Sequence, residues 1–306
     1  GCVLANRLSL DPSNKVLLLE AGGTDRRFFI QMPIGYGKTY HQKAVNWMYM
    51  TEPSPDADNK PSYWPRGKVL GGSSSINAMV YVRGNPRDFD EWSELGNPGW
   101  SYKEVLPYFK KMESWQNGAN NFRGGDGPLH VSEVSNQLHP LCDNFLSAAE
   151  EIGIKLNPDM NGKSQEGVGN YQITTHKGQR MSSSRAYLWP VMSRSNLIVV
   201  KNALASKILI KENKAYGVEY LKSGSTHKVY AKREVILSAG SINSPQLLQL
   251  SGIGPKKILL DADIQMIHES PAVGQNLQDH LGVSYFYKSK VPTLNDQLRP
   301  VLGKIY

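Results

Sequence analysis

The chain has 306 residues, of which 40% are hydrophobic and 20% are charged, a balance typical of a globular protein with one large or two ordinary domains. No run of eighteen apolar residues or secretory signal pattern occurs, so we expect an intracellular protein, cytoplasmic or peripherally bound to a membrane. The net charge of +8 comes from residues spread along the chain, which favours a solvated surface over nucleic-acid binding. Cys2, Cys142 and the seven histidines show no metal-ligand spacing, so we predict no metal site.

The first elements predict half of a nucleotide-binding unit. Residues 2–10 suit a short helix, and residues 15–20 suit a buried strand that ends at an acid, Glu20. The spacing from Gly1 to Glu20 matches the roughly 20 residues expected between a glycine fingerprint and the acid that holds a ribose. Gly1 would be the last fingerprint glycine, with the first strand and the earlier glycines missing. The spacing by itself is equally compatible with an unrelated helix and strand.

The segment at 64–84 joins a glycine pair, Gly71 and Gly72, to three serines and Asn77 without a regular period. Glycines can adopt positive φ and bring bare backbone close to a ligand, while serine and asparagine supply short hydrogen-bonding groups. We interpret this segment as a ligand-binding loop. The alternative is a tight glycine turn between two buried elements.

The remaining elements are short. We predict helices at 86–94, 102–112 and 141–152, the last amphipathic and ended by Gly153. Strands are predicted at 196–200, 206–210, 215–220 and 227–230, and the last three form an antiparallel meander. A buried strand at 233–240 and a helix at 245–250, capped by Ser244, follow.

Four segments together resemble the glucose-methanol-choline (GMC) oxidoreductase family, which binds FAD. They are residues 1–23, the Arg-Gly-Lys-Val-Leu-Gly-Gly-Ser-Ser-Ser-Ile-Asn run at 66–77, the Gly-Ser-Ile-Asn-Ser-Pro-Gln-Leu-Leu-Gln-Leu-Ser-Gly-Ile-Gly run at 240–254, and residues 273–280. The second and third segments match the family's two signature patterns almost throughout. The resemblance covers essentially the whole chain and implies an N-terminal fragment, about half of a family member.

The resemblance implies a set of cofactor-binding residues. Glu20 is similar to the family's ribose ligand, Val82 would lie against the flavin, and Ala205 would contact the adenine through its backbone. The other implied residues would contact the phosphates or line the cofactor: Gly1, Gly71, Gly72, Ser74, Asn77, Ala239 and Gly240. A role in packing alone remains open at each single position.

The resemblance also bears on the bond to the cofactor and on catalysis. Some family members link the flavin to a histidine where this chain has Ile76, so non-covalent FAD is predicted. The family's catalytic base is a histidine much nearer the C-terminus, paired with a second histidine or an asparagine, and neither is in this chain. We therefore assign no catalytic residue in this chain. His280, which lies close to the flavin in the family, is a weaker candidate for a base than the family's C-terminal histidine.

The fold implied is α/β: a Rossmann-like FAD/NAD(P)-binding domain with a three-stranded antiparallel meander, plus an incomplete α+β substrate domain with an antiparallel sheet. Residues 1–130 and 195–280 would form the FAD-binding domain, and residues 131–194 and 281–306 would belong to the substrate domain. Loss of a central strand and most of the pyrophosphate loop predicts poor folding and weak FAD binding by these residues alone.

The activity implied is oxidation of a primary alcohol, choline-like or other, to an aldehyde by hydride transfer to flavin. Residues 64–92 look most like the choline dehydrogenase and alcohol dehydrogenase (acceptor) branch. An oxygen-using alcohol oxidase, or a family-fold flavoprotein without redox turnover, such as a lyase or a binding module, remains open. Trp47, Tyr49, Trp64 and Tyr81 are available for an aromatic cage around a choline-like cation, but the sequence does not place them together or indicate the electron acceptor.

Overall fold

The computed structural model describes residues 1–280, 282–294 and 296. This part of the chain divides into two compact units. The first unit contains residues 1–24, 68–71 and 191–286, and the second contains residues 25–67, 72–190 and the described residues from 287 onward. Both are mixtures of short helices and small sheets, so the chain is a mixed α/β protein. The predicted boundaries of an FAD-binding and a substrate domain remain a prediction, because compactness does not show what each part binds.

The described helices are α1 Cys2–Leu8, α2 Phe28–Gln31, α3 Tyr36–Thr39, α4 Pro86–Glu94, α5 Tyr102–Met112, α6 Leu141–Glu151, α7 Gly240–Leu250 and α8 Lys256–Asp261. The strands are β1 Val16–Glu20, β2 Tyr49–Met50, β3 Tyr63–Trp64, β4 Glu113–Trp115, β5 Leu129–Val131, β6 Thr175–His176, β7 Gln179–Arg180, β8 Leu197–Lys201, β9 Leu204–Lys211, β10 Lys214–Lys222, β11 Ser225–Tyr230, β12 Ile253–Gly254 and β13 His268–Glu269.

The first unit is built on two larger sheets. Strands β1 and β8 pair in parallel, with Leu18 opposite Val199. Strands β9, β10 and β11 form an antiparallel sheet with β10 in the centre. Helix α7 packs against β9, and the amide of Ile208 in β9 donates to Ser251 Oγ just beyond that helix. The parallel pair therefore carries Glu20 at its carboxyl end, and the antiparallel sheet is fixed to the helix that begins at Gly240.

The second unit has a core in which aromatic rings surround buried charges. Tyr81, Trp115 and Val131 pack together, and each is less than a tenth exposed. Beside them the buried Glu113 carboxylate binds the guanidinium groups of Arg83 and Arg123. Because buried charges are tolerated only when they are paired and hydrogen-bonded, this network fixes the geometry of the core.

Two predicted elements differ from the structure. Residues 233–240 form no strand, and Ile236 is 43% exposed, because no other described strand lies beside them to complete a hydrogen-bonded ladder. The predicted helix at 245–250 begins five residues earlier, at Gly240, with Ala239 as its N-cap. Ser244 lies inside this helix, where its Oγ accepts a hydrogen bond from the Ala239 amide. Pro245 therefore lies within the helix instead of at its start.

Candidate cofactor site

Glu20 lies at the carboxyl end of β1, where the sequence predicted a ribose ligand. Its Oε1 accepts a hydrogen bond of 2.7 Å from the Gly22 amide, the one donor to this carboxylate among the residues described. Burial raises the pKa of Glu20 to about 7, although the Gly22 amide and the charge of Lys68 oppose the shift. The carboxylate keeps acceptor capacity for a further donor, such as a sugar hydroxyl.

Bare backbone surrounds Glu20. A Cβ at Gly22 would overlap the carbonyl oxygen of Lys68, so only glycine fits there. The amide of Leu70 donates to the Gly23 carbonyl, and the amides of Asn202 and Ala203 donate to the carbonyls of Gly22 and Glu20. Residues 20–23 are thus held between the segment 68–70 and the turn between β8 and β9.

The predicted glycine at the start of α1 lies near the start of α7. Gly1 is the N-cap of α1. A Cβ at Gly1 would come within ordinary contact distance of Leu18 and of Ser238, the residue before Ala239. Gly240 has φ of 91° and open space at its Cβ position. The structure therefore places Gly1 close to Ser238, just before Ala239 and Gly240, beside β1, and their role as cofactor-lining residues stays a prediction.

The glycine pair adopts the backbone that only glycine accepts easily. Gly71 and Gly72 have φ of 88° and 56°. Gly72 begins a short 3₁₀ turn, Gly72–Ser75, and has open space where a side chain would be. Within the second unit, Ser73 Oγ accepts a hydrogen bond from the Gly67 amide, which closes the loop on itself. The segment is thus a constrained loop with accessible backbone.

Ser74 and Asn77 follow in this loop, and both have protein partners. Ser74 Oγ accepts from the Ser183 amide and lies 3.0 Å from Ser183 Oγ. Asn77 Oδ1 accepts from the Met79 amide and from Arg180 Nη1. The Arg180 guanidinium also binds the carbonyl oxygens of both loop residues. These contacts hold the loop in one conformation while Asn77 remains exposed.

The other predicted residues lie apart from these contacts. Ala205 lies in β9 opposite Tyr220, and Val82 is 45% exposed in the second unit. His280 is exposed in the first unit, where its amide donates to Asp279 Oδ1. Ile76 is buried, with 5% of the residue exposed, and carries no nucleophilic group.

The proposed cofactor residues divide between the two units. The first unit contains Gly1, Glu20, Gly71, Ala205, Ala239 and Gly240, and the second contains Gly72, Ser74, Asn77 and Val82. Within the described residues, no group of three or more His, Cys, Asp or Glu is arranged to hold a metal ion. None of the helices in this part of the chain is long and apolar enough to cross a membrane.

The aromatic residues considered for a cation cage divide into two places within the second unit. Trp47 and Tyr49 stack with ring centroids 5.8 Å apart, and Tyr49 pairs with Trp64 across β2 and β3. Tyr81 instead lies in the buried core against Trp115. Tyr81 therefore does not belong with the other three.

Three residues were missed by the sequence analysis. The charge of Lys68 lowers the pKa of Glu20, although the two residues are far apart in the sequence. Gly22 allows the main chain at Lys68 to approach closely. Arg180 binds the Ser74 and Asn77 carbonyls across more than a hundred residues. Only Gly22 left a sequence signal, since a glycine directly after a strand often marks a close backbone approach.

The described part of the chain is a mixed α/β protein with a constrained glycine-rich loop, and comparison with known proteins gives the family. The family model described as GMC oxidoreductase matches residues 15–282. The chain belongs to the GMC oxidoreductase family.

Named relatives agree with this assignment. The chain is 50% identical over 300 residues to an oxygen-dependent choline dehydrogenase of Photobacterium profundum, covering 97% of this chain and 53% of that protein. It is 46% identical over 287 residues to an alcohol dehydrogenase (acceptor) of Pseudomonas putida, covering 93% and 52%. An FAD-dependent oxidoreductase from Chaetomium thermophilum superposes with a TM-score of 0.84 at 36% identity, over 91% of this chain and 50% of that one. The chain spans about half the length of the curated relatives it matches.

Proposed function

We propose that this chain provides the FAD-binding part of an enzyme that oxidises a primary alcohol to an aldehyde. The observation that carries the proposal is the Glu20 carboxylate at the end of β1, with one backbone donor and bare glycine backbone beside it. Family membership and relatives named choline dehydrogenase and alcohol dehydrogenase support the alcohol as substrate class. A Rossmann-like FAD domain formed by residues 1–130 and 195–280, with its antiparallel meander, belongs to the same proposal, as does an incomplete substrate domain at 131–194 and 281–306.

The residues present fit FAD. A ribose hydroxyl needs an acceptor, which the Glu20 carboxylate supplies, and a pyrophosphate needs backbone amides near glycines, which the starts of α1 and α7 supply. The open space at Gly72 and Gly240 admits a group close to the main chain. Gly71, Ser74, Asn77, Val82 and Ala205 complete the proposed set.

Bound FAD would accept the hydride from the alcohol carbon. The chain's own part in this reaction is to bind and orient. Glu20 would hold the ribose, while the loop Gly72–Ser75 and Asn77 would keep the flavin at a fixed angle to the substrate. The buried Ile76 has no group that can bond covalently to the cofactor, so the binding would be non-covalent. The proton of the alcohol would go to a base outside the residues discussed, since the side chain of the exposed His280 has no hydrogen-bond partner among the described residues that would orient it as a base.

The substrate class is a primary alcohol, and a choline-like cation is one member of it. The stacked pair of Trp47 and Tyr49, with Trp64 beside it, offers aromatic faces to such a cation. The Arg66 guanidinium lies 5.2 Å from the Trp64 ring centroid, so a cation already occupies a position over that ring.

Anaerobic reduction tests the proposal. The chain, expressed with any sequence that flanks it in its gene, is loaded with FAD and mixed with choline, a simple primary alcohol or a tertiary alcohol. We expect the flavin absorbance to bleach with a primary alcohol and to persist with the tertiary alcohol, which has no hydrogen on its carbinol carbon. If the protein binds FAD but no alcohol bleaches the flavin absorbance, it is a flavoprotein without this activity. Hydrogen peroxide formed on admission of oxygen would identify an oxidase.

A further inference from the structure

Arg180 is a fully buried arginine whose hydrogen-bond partners among the described residues are all neutral oxygens. Its Nε donates to the Ile30 carbonyl at 2.8 Å, and Nη1 donates to the Asn77 carbonyl at 2.7 Å and to the Ser74 carbonyl at 3.2 Å. Burial lowers the pKa of Arg180 to about 10, so the side chain keeps its charge at neutral pH. A buried cation without a carboxylate partner is costly, which argues that its position serves a purpose beyond packing.

A tight hairpin holds Arg180 in place. Strands β6 and β7 pair Thr175 with Arg180, and the two residues of the turn, Lys177 and Gly178, both have positive φ. This is the turn geometry whose twist suits a two-residue hairpin. The hairpin thus determines where the Arg180 guanidinium meets the loop.

The contact with Arg180 determines which way the Asn77 amide faces. Asn77 Oδ1 accepts from Arg180 Nη1 at 2.9 Å and from the Met79 amide at 3.1 Å. Because both of these groups are donors, the atom facing them must be the oxygen, and the NH₂ group must point elsewhere. Asn77 is exposed, so its NH₂ group is available as a donor to a ligand.

The same contacts stabilise a strained backbone. Met79 is buried and has φ of 64°, a conformation that non-glycine side chains adopt at a cost. The Asn77 side chain accepts a hydrogen bond from the Met79 amide, and the amide of Thr174, the residue before β6, donates to the Met79 carbonyl. Arg180 therefore binds the side chain that accepts from the amide of the strained Met79.

We propose that Arg180 is a positioning residue that presents the Asn77 NH₂ group as a hydrogen-bond donor to an acceptor atom of the flavin cofactor. The inference rests on the proposed function, since it takes the ligand of this loop to be FAD. Arg180 acts through Asn77 and the Ser74 carbonyl, and does not itself touch the cofactor.

Two variants distinguish the effect of the loop conformation on FAD binding from the effect of the Asn77 NH₂ donor. Arg180→Met removes every bond to the loop, whereas Asn77→Asp keeps the acceptor that faces Arg180 and replaces the donor with an oxygen. Arg185→Met is the control, because this neighbouring arginine binds Gln31 Oε1 and lies over the Trp189 ring, and its contact with Arg180 is a long bond of 3.5 Å to the main-chain carbonyl. Each is made in the chain expressed with any sequence that flanks it in its gene.

Hydrogen exchange of the cofactor-free protein and the dissociation constant of FAD are measured. In Arg180→Met we expect amides 74–79 to exchange about tenfold faster or more, and FAD to bind about tenfold more weakly or worse, as expected for losing charge-assisted hydrogen bonds. Asn77→Asp should exchange as the wild type does but lose FAD affinity to a similar extent. Arg185→Met should match the wild type in both measurements.

The outcomes distinguish the two proposals. Wild-type protein that binds no FAD overturns the proposed function and, with it, the assignment of this loop's ligand. Wild-type binding together with unchanged affinity in Arg180→Met overturns only the role of Arg180, and unchanged affinity in Asn77→Asp overturns the donor. If Arg180→Met does not fold, Arg180→Lys decides, because lysine keeps the charge but lacks the planar fork. Wild-type affinity in Arg180→Lys would then contradict the proposal.

Discussion

The Arg123 guanidinium and the Glu113 carboxylate form an ion pair in which both side chains are completely buried, with 2.5 Å between Nη2 and Oε1. Arg83 Nη2 binds the other carboxylate oxygen at 2.7 Å, and the Gly124 amide donates to the same oxygen. The Arg123 guanidinium also lies 4.1 Å from the Trp115 ring centroid. Two arginines thus share one carboxylate, with Asp159 also bound to Arg123 at the edge of the network.

Glu113→Gln tests this network. The change leaves two buried guanidinium groups without their shared anion, and we expect a loss of about 3–5 kcal/mol in the free energy of unfolding. Urea unfolding measures the loss. The control is Glu91→Gln, which breaks an exposed pair with Arg87 one helical turn away and should cost less than about 1 kcal/mol. Equal effects of the two changes would show that the buried network does not stabilise the second unit.

Gly22→Ala tests the close approach beside Glu20. Its Cβ would overlap the Lys68 carbonyl oxygen, so the backbone must separate and the bond from the Leu70 amide to the Gly23 carbonyl must lengthen. We expect a loss of about 1–3 kcal/mol or more in stability, as for other overpacked sites. Thermal unfolding measures it. Gly282→Ala is the matched control, because no described atom beyond its chain neighbours lies within 4 Å of its Cβ position. A variant at Gly22 as stable as that control would mean that the two segments are not in contact.

The sequence predicted those helices and strands whose bounds depend on apolar spacing and on residues close by in the chain. Helix α1, strand β1 and helices α4 and α5 form close to their predicted bounds, since apolar spacing and caps such as Asn85 determine them. Residues 233–240 were predicted wrongly because an apolar run becomes a strand only beside a partner, which the sequence does not reveal. The apolar run itself gave no sign of this.

The main-chain features of the site could be predicted from the sequence, but the side-chain contacts and the burial that hold it in place could not. Gly71 and Gly72 could be recognised because positive φ selects glycine at particular positions. The bond from Arg180 to Asn77 could not be recognised, because it joins residues more than a hundred positions apart and arginine side chains are usually exposed. The raised pKa of Glu20 likewise depends on burial, which only the folded chain defines.

Denaturation with acid tests the expected non-covalent binding of FAD. Ile76 is buried and offers no group for a bond to the flavin, so the cofactor should be released when the protein unfolds. The FAD-loaded protein is precipitated with acid, and flavin absorbance is measured in the supernatant and in the pellet. We expect essentially all flavin in the supernatant. Flavin that stays with washed, unfolded protein would mean that another residue forms the bond.

The pH dependence of stability tests the environment of Glu20. Its pKa is raised by burial from 4.5 to about 7, so between these values the folded state binds more protons than the unfolded state. Stability of the cofactor-free protein should therefore fall as the pH rises from about 4.5 to 7. Glu20→Gln keeps an oxygen that can accept from the Gly22 amide and should lose this dependence, whereas Glu212→Gln, an exposed control, should retain it.

FAD affinity should follow the opposite course, because an ionised carboxylate is a stronger acceptor for ribose hydroxyls than a neutral one. We expect the dissociation constant to fall as the pH rises through about 7 and to become nearly independent of pH in Glu20→Gln, where binding should be about tenfold weaker or worse at high pH. Fluorescence titration with FAD across this range, with Glu212→Gln as the control, measures both effects. If Glu20→Gln binds FAD with wild-type affinity at high pH, Glu20 does not bind the cofactor, even if its effect on stability is confirmed.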